Sequence, residues 1–338
     1  MKLLIITQKV DKQDPVLGFF HSWVFKLSEK FEKISVICLE KGEFDLQDKV
    51  RIYSLGKESG GNKIKYAKNF FNLILGLHKD YHAVFVHMNQ EYVLLGWFIW
   101  KILKKKIYFW RNHGSGNLLT RIAVALSDKV FCTSEQSFTA KFKKTVIMPV
   151  GIDTEIFKPV SKITREKHSV CMVGRISPLK HIDKALAAIN HLAVSGTHVS
   201  FNIAGPVKDL EYYEKLKKYI FEKNLSANVY FTNAVAQNKL PEIYSGHEVC
   251  INLSEPGMFD KTIVEAAACG ALPLVSDSSF AHIPEEACIR DDSTIGIAAS
   301  IQQAFKLRER TDTRQKLEYF VESHSLSALM EKLYIEIK

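Results

Sequence analysis

The stretch Asp260-Lys261-Thr262-Ile263-Val264-Glu265-Ala266-Ala267-Ala268-Cys269-Gly270 sets a carboxylate inside an apolar segment. Three alanines allow close packing and Gly270 supplies a stop, so the residues predict a short helix over 262–269. Glu265 has the neighbours of a buried element and therefore needs partners. Ribose hydroxyls would serve, and the unpaired N–H groups at the helix start favour an anion such as a diphosphate. A core helix holding one internally paired glutamate would read the same way.

Other residues able to do chemistry follow apolar runs of strand length. Gly174-Arg175-Ile176-Ser177-Pro178-Leu179-Lys180 supplies a guanidinium fork and a point charge that can converge on one anion. Arg111-Asn112-His113-Gly114-Ser115-Gly116 combines a base, a titratable imidazole and two glycines, more than a turn requires. Gly18 and Gly205-Pro206 also follow such runs, where connecting turns use glycine in any case. His87-Met88-Asn89 is read either as an acceptor contact or as a turn. His78 and His82 have no carboxylate beside them that would complete a metal site.

These residues need elements to position them. Strand-length apolar runs recur at 3–6, 34–39, 83–86, 107–110, 129–132 and 146–148, then at 169–173, 199–204, 229–231, 248–253 and 272–276. Helical stretches fall between them, including 20–30, 63–75, 92–106 and 118–126. Nearly continuous apolar strands alternating with helices imply parallel sheets covered on both faces, hence an α/β fold of two doubly wound domains. The change-over falls at Pro149-Val150-Gly151-Ile152-Asp153. In such a fold a ligand is expected at the carboxyl ends of the strands, in a cleft.

Composition narrows the class further. The six cysteines form no C-x-x-C pair and sit singly in apolar contexts, the usage of a reduced compartment. No run reaches the roughly 20 apolar residues of a membrane span, and the first residues read as a strand, so a cytoplasmic protein is expected. Residues 1–152 hold 24 Lys and Arg against 13 Asp and Glu, a net of +11, whereas the remainder nets −2. A field of that sign attracts anionic partners. No zinc-finger or helix-turn-helix pattern accompanies it, so nucleic acid is not expected. The basic, aromatic stretches at 63–75 and 92–106 suit peripheral contact with an anionic membrane, or a plain core.

Gly174-Arg175 with Lys180, Ile203-Ala204-Gly205, and Glu265-Ala266 with Cys269-Gly270 and Pro273 resemble the glycosyltransferase family 4 pattern in order and spacing. Pro149 to Asp153 with Phe157 resembles that family's interdomain segment. The resemblance covers the whole chain and is most specific over 145–280. It implies the GT-B fold: an acceptor-binding Rossmann-like domain at 1–152, a nucleotide-sugar-binding one at 153–316, and a helix at 317–338 crossing back. It also implies a retaining hexosyltransferase of class EC 2.4, free of metal and cofactor. Such an enzyme moves sugar from a UDP- or GDP-sugar to a glycan or lipid-linked acceptor in cell-envelope or polysaccharide synthesis.

Carried over position by position, Arg175 and Lys180 would hold the donor diphosphate, and His113 would stand near the reacting sugar. Gly18, Gly174 and Gly205 would admit the donor. Gly257 and the stretch Phe259, Asp260, Lys261 and Thr262 would touch its sugar and phosphates, and Glu265 its ribose. His87, Asn89 and Glu255 would stand on the acceptor side. One departure concerns the family's paired glutamates, spaced eight apart. Eight positions before Glu265 this chain has Gly257, with Glu255 nearby as a substitute. Asp260-Lys261 is a second departure, read as a charged pair. A scaffold that binds nucleotide sugar without turnover and a nucleotide-sugar epimerase are the alternative functions.

Overall fold

The computed structural model describes every residue except 15–16, 255–259, 277–282 and 309. Chain order begins β1 (Lys2–Val10), α1 (Phe19–Lys30), β2 (Lys33–Lys41), β3 (Val50–Ser54), α2 (Lys63–Gly76), β4 (Ala83–His87), α3 (Gln90–Ile102), β5 (Lys106–Trp110), α4 (Leu118–Leu126), β6 (Lys129–Cys132) and β7 (Thr145–Ile147). It continues β8 (Ser169–Val173), α5 (Ile182–Val194), β9 (Ser200–Ala204), α6 (Leu210–Glu222), β10 (Val229–Thr232), α7 (Leu240–Gly246), β11 (Val249–Asn252), α8 (Lys261–Ala268) and β12 (Leu272–Val275). The last helices are α9 (Thr294–Leu307), α10 (Thr311–Ser323) and α11 (Leu326–Ile337).

The chain divides into two compact units, Met1–Gly151 with Leu326–Lys338, and Ile152–Ser325. Each is built on one wholly parallel sheet, in the orders β3-β2-β1-β4-β5-β6-β7 and β10-β9-β8-β11-β12. Both are Rossmann-like, because strand order reverses beside the first strand of each unit. There the loops after neighbouring strands part to opposite faces and leave room for a ligand.

Buried strands explain the covering. Leu3, Ile5, Ile34 and Val36 point to one face of the first sheet and pack with Trp23 and Leu27 of α1 and Leu329 and Leu333 of α11. Leu4, Ile6, Val84 and Val86 point to the other, beneath Phe70 of α2, Trp100 of α3 and Ala123 of α4. A period of two along each strand delivers this division.

Three elements differ from expectation. β3, with the sequence Val-Arg-Ile-Tyr-Ser, is an edge strand whose residues are only partly covered, so no apolar run announces it. The basic stretch expected to be helical to 106 stops at Ile102. Lys104 turns left-handed at φ 54° and Lys106 opens β5. The tail is two helices rather than one, broken where Ser325 pairs with Ile152.

Candidate functional site

Beside the reversal in the second sheet, β8 and β9 are followed directly by Gly174 and Gly205. Their loops run side by side, with the Gly174 N–H donating to the Ala204 carbonyl at 2.9 Å and that of Ile176 to Pro206 at 2.9 Å. Both glycines have positive φ, 152° and 149°. A Cβ on Gly205 would stand 1.9 Å from the Gly174 carbonyl oxygen, so only glycine fits this crossing. Opposite Gly174, the missing side chain leaves space that the Lys180 stem fills, since a Cβ there would meet Cε at 3.1 Å.

Lys180 thereby reaches the end of β11. Its Nζ donates to Ser254 Oγ at 3.1 Å and pairs with the Asp260 carboxylate. Asp260 is the N-cap of α8 and accepts from Thr262 Oγ1 at 3.0 Å and from Asn252 Nδ2 at 2.9 Å. Burial works against ionising Asp260, but the Lys180 charge and these hydrogen bonds outweigh it and lower its pKa. The two neighbouring charges at 260 and 261 face different partners. Asp260 turns to Lys180, while the Lys261 charge acts on Glu265 one helical turn away.

Glu265 is buried, 5% exposed, on a helix whose neighbouring Val264 and Ala266 are fully covered. Its Oε2 accepts from the Tyr244 hydroxyl at 3.0 Å. Burial pushes its pKa up to about 7, against the pull of Lys261 and of that hydrogen bond. Burial also depresses Lys261, to about 8, opposed by Glu265. The helix start falls at Lys261 rather than Thr262, and the stop is Gly270 in the left-handed region at φ 81°. Arg165 ties this end down, donating to Cys269 O at 3.0 Å and to Ser245 O at 3.0 Å.

Arg175 lies exposed beyond Gly174 and has no carboxylate partner among the described residues. Beside Lys180, a cavity of about 400 Å³ is lined by His181, Lys184, Leu253, Ser276, Arg290 and Asp292, among others. A larger cavity of about 1070 Å³ lies by α9 and α10; it shares Arg290 with the smaller one and includes none of Arg175, Lys180, Asp260 or Glu265. Glu255, Gly257 and Phe259 lie outside the described residues. Among the described residues no group of three His, Cys, Asp or Glu is placed to hold a metal ion.

In the first unit the loop after β5 is built around His113. Its Nδ1 lies 3.0 Å from the Ser115 N–H, which donates to it, and the ring is exposed. Asn112 Oδ1 accepts from Ser137 Oγ at 2.6 Å and from the Thr133 N–H at 3.2 Å, fixing the loop base. Arg111 Nε is enclosed without a hydrogen-bond partner among the described residues, and burial lowers the guanidinium pKa. Gly18 caps α1 in the ordinary right-handed region, φ −55°, where a Cβ would stand 2.6 Å from the Asp14 carbonyl oxygen. Its lack of a side chain serves its own loop.

His87 departs from the expectation of an accessible acceptor contact. It is 2% exposed, stacked on Phe20 at 4.2 Å, with Thr7 Oγ1 3.3 Å from Nδ1. Aromatic side chains of α1 and β5 fold over the end of β4, and nothing in the local sequence signals that cover. Asn89, two residues on, is partly exposed and donates to Gln8 Oε1 at 2.8 Å. Sequence reasoning missed Tyr244, Asn252 and Ser254. The last two are polar residues closing an apolar strand, a signal that could have found them; Tyr244 gives none.

Residues 153–288 match the family described as Glycosyl transferases group 1. Mannosylfructose-phosphate synthase of Agrobacterium fabrum is 26% identical over 155 residues, which is 42% of this chain and 34% of that protein. The chain thus matches about a third of the length of that curated relative. Two solved structures superpose along nearly the whole length. Anabaena Alr3699/HepE in complex with UDP has a TM-score of 0.79 at 15% identity, covering 100% of this chain and 99% of that one. A glycosyltransferase from Rickettsia africae has a TM-score of 0.76 at 13% identity, covering 99% and 98%. At these identities the likeness is one of fold, and the fold is GT-B.

Proposed function

We propose that the protein is a glycosyltransferase that takes a sugar from a nucleoside diphosphate sugar, with retention and without a metal ion. The observation that carries this reading is the trio Lys180, Asp260 and Glu265, gathered at the strand-order reversal of the unit matching Glycosyl transferases group 1. Lys180 is set to hold a diphosphate and to stabilise charge on it as the bond to the anomeric carbon breaks. Arg175, exposed and without a carboxylate partner among the described residues, adds a second cation at the same strand end. Glu265 keeps Oε2 on Tyr244 and has its remaining lone pairs for ribose hydroxyls. In the net step an acceptor oxygen bonds to the anomeric carbon and its proton leaves with the diphosphate. His113, Arg111 and Asn89 belong to the first unit, read here as the side receiving a glycan or lipid-linked acceptor. UDP is the first donor base to test, since the HepE structure holds UDP.

The test is a thermal-shift series with UDP, GDP and their sugar conjugates, followed by product analysis with and without acceptor. A ligand at about 100 times its Kd stabilises the fold by about 2.7 kcal/mol. A response to one nucleotide that is lost in Arg175→Ala/Lys180→Ala, with sugar transferred to an acceptor, is expected. Silence across the panel from a folded protein removes the donor site. Conversion of the donor sugar without acceptor makes the protein an epimerase instead. The counter-ion already held by Lys180 favours a second reading, a scaffold that binds nucleotide sugar. Binding without any turnover would select it.

A further inference from the structure

We propose that the outer face of α3 and α4 docks on an anionic lipid bilayer. Leu95, Phe98 and Ile102 follow one another along α3 at 41%, 65% and 64% exposure. On α4, which packs beside it, Leu118, Leu119 and Ile122 are 70%, 47% and 38% exposed. Contiguous apolar side chains on neighbouring helices mark an interaction surface, where scattered single ones do not. Their inner sides already fill the core with Trp100 and Ala123, so burial within the unit does not explain the outer side chains.

Charge decides the occupant. Residues 63–144 carry 14 Lys and Arg against four Asp and Glu, nearly all of the excess of the first half. Lys101 and Arg121 on these helices, Lys104 just beyond α3, and Lys63 and Lys65 on α2 are exposed and form no ion pair with a carboxylate among the described residues. On the opposite face of the same sheet three bases are paired: Lys26 with Glu29, Lys30 with Glu331, Lys129 with Glu336. Apolar side chains ringed by unpaired cations are the complement of headgroup phosphates over acyl chains. A protein partner of ordinary composition would not require the cationic excess.

The placement has a functional sense. Leu118 and Leu119 open α4 directly after the His113-Gly114-Ser115-Gly116 loop, so a bilayer held there lies beside the loop read as acceptor-facing. That link to an acceptor rests on the transferase reading; docking itself does not, and is measured without donor or acceptor.

The full chain is co-sedimented with phosphatidylcholine vesicles, with and without phosphatidylglycerol. Binding to the anionic vesicles alone is expected, weakening as salt rises. Lys101→Gln/Lys104→Gln lowers the partition coefficient about 30-fold, from about 1 kcal/mol per cation. Phe98→Gln/Leu118→Gln also releases the protein, whereas Phe25→Gln/Ile335→Gln on the opposite face does not. The substituted apolar side chains are at least 36% exposed, and unchanged melting temperatures confirm that each variant folds. A measurement on the unaltered chain uses Trp97, which is partly exposed while the other three tryptophans are buried. Brominated lipids are expected to quench it. Absence of anionic binding, survival of binding in both α3–α4 variants, or equal loss in the opposite-face pair overturns the proposal. So does a dimer that Phe98→Gln/Leu118→Gln dissociates without any vesicle binding, which assigns the face to a second copy. A failed docking test leaves donor binding to stand or fall on its own titration.

Discussion

Replacing Lys180 by methionine separates the lysine's structural contact from its chemistry. The side chains of Lys180 and Asp260 are each 17% exposed, so their pairing is largely shielded from solvent. Breaking a fully buried pair costs about 3–5 kcal/mol; partial exposure and the bonds Asp260 keeps to Asn252 and Thr262 reduce this to about 2 kcal/mol. In a unit of this size that lowers the melting temperature by roughly 4–8 °C. Asp260→Asn preserves the helix cap, because asparagine caps as well as aspartate, and costs about 1 kcal/mol. The double variant carries no orphaned charge. Its loss should fall at least about 1 kcal/mol short of the sum of the singles. Urea unfolding of the four proteins measures this cycle, and a UDP titration of each measures the ligand. Asp260→Asn should bind UDP at least as well as the unaltered chain, since it frees the ammonium, and both proteins lacking Lys180 should lose the response. Strict additivity would refute the ion pair. A double variant that recovers stability and still binds UDP would show that Lys180 is a strut and not a phosphate ligand.

Two further outcomes follow from the same site. The ordinary pKa of Glu265 is 4.5 and the folded value about 7, so its favourable contribution is complete below 4.5 and disappears as pH rises through 7. Glu265→Gln should remove a decline of up to about 3 kcal/mol across that window, measured as the difference between the two stability profiles. Parallel profiles would mean that Glu265 is ionised throughout. Gly205→Ala should cost at least about 2 kcal/mol through its positive φ and its collision with the Gly174 carbonyl. An unchanged unfolding midpoint would show that the two loops separate easily.

What the sequence made legible was whatever declares itself locally. Buried parallel strands are continuous apolar runs, so eleven of the twelve strands among the described residues stood out, and Gly270 announced the end of its helix. The remaining strand, β3, has one exposed arginine and only partial cover elsewhere, and nothing sets it apart from a loop. The break between α10 and α11 has neither proline nor glycine to mark it. Contacts between distant residues were least legible. Lys180 finds Asp260 across 80 positions, and nothing in the local sequence of either announces the other. His87 looked available at the end of its strand, and only folding brings Phe20 and Trp110 around it.

The chain leaves the first unit at Gly151 and re-enters it at Leu326, so the second unit is an insertion within the first. Five residues of α11, Leu326, Leu329, Met330, Leu333 and Ile337, complete the core beneath α1. A ribosome adding about 5–20 residues per second needs on the order of ten seconds or more to make the inserted segment. For that interval the first sheet has one finished face and one that α1 covers only in part. The insertion can close around its own sheet before its host does. A nascent chain stalled before α11 should therefore bind a hydrophobic dye through its first unit and shed it on release, and fragments cut at Gly151 should prove insoluble unless α11 is supplied as a separate peptide.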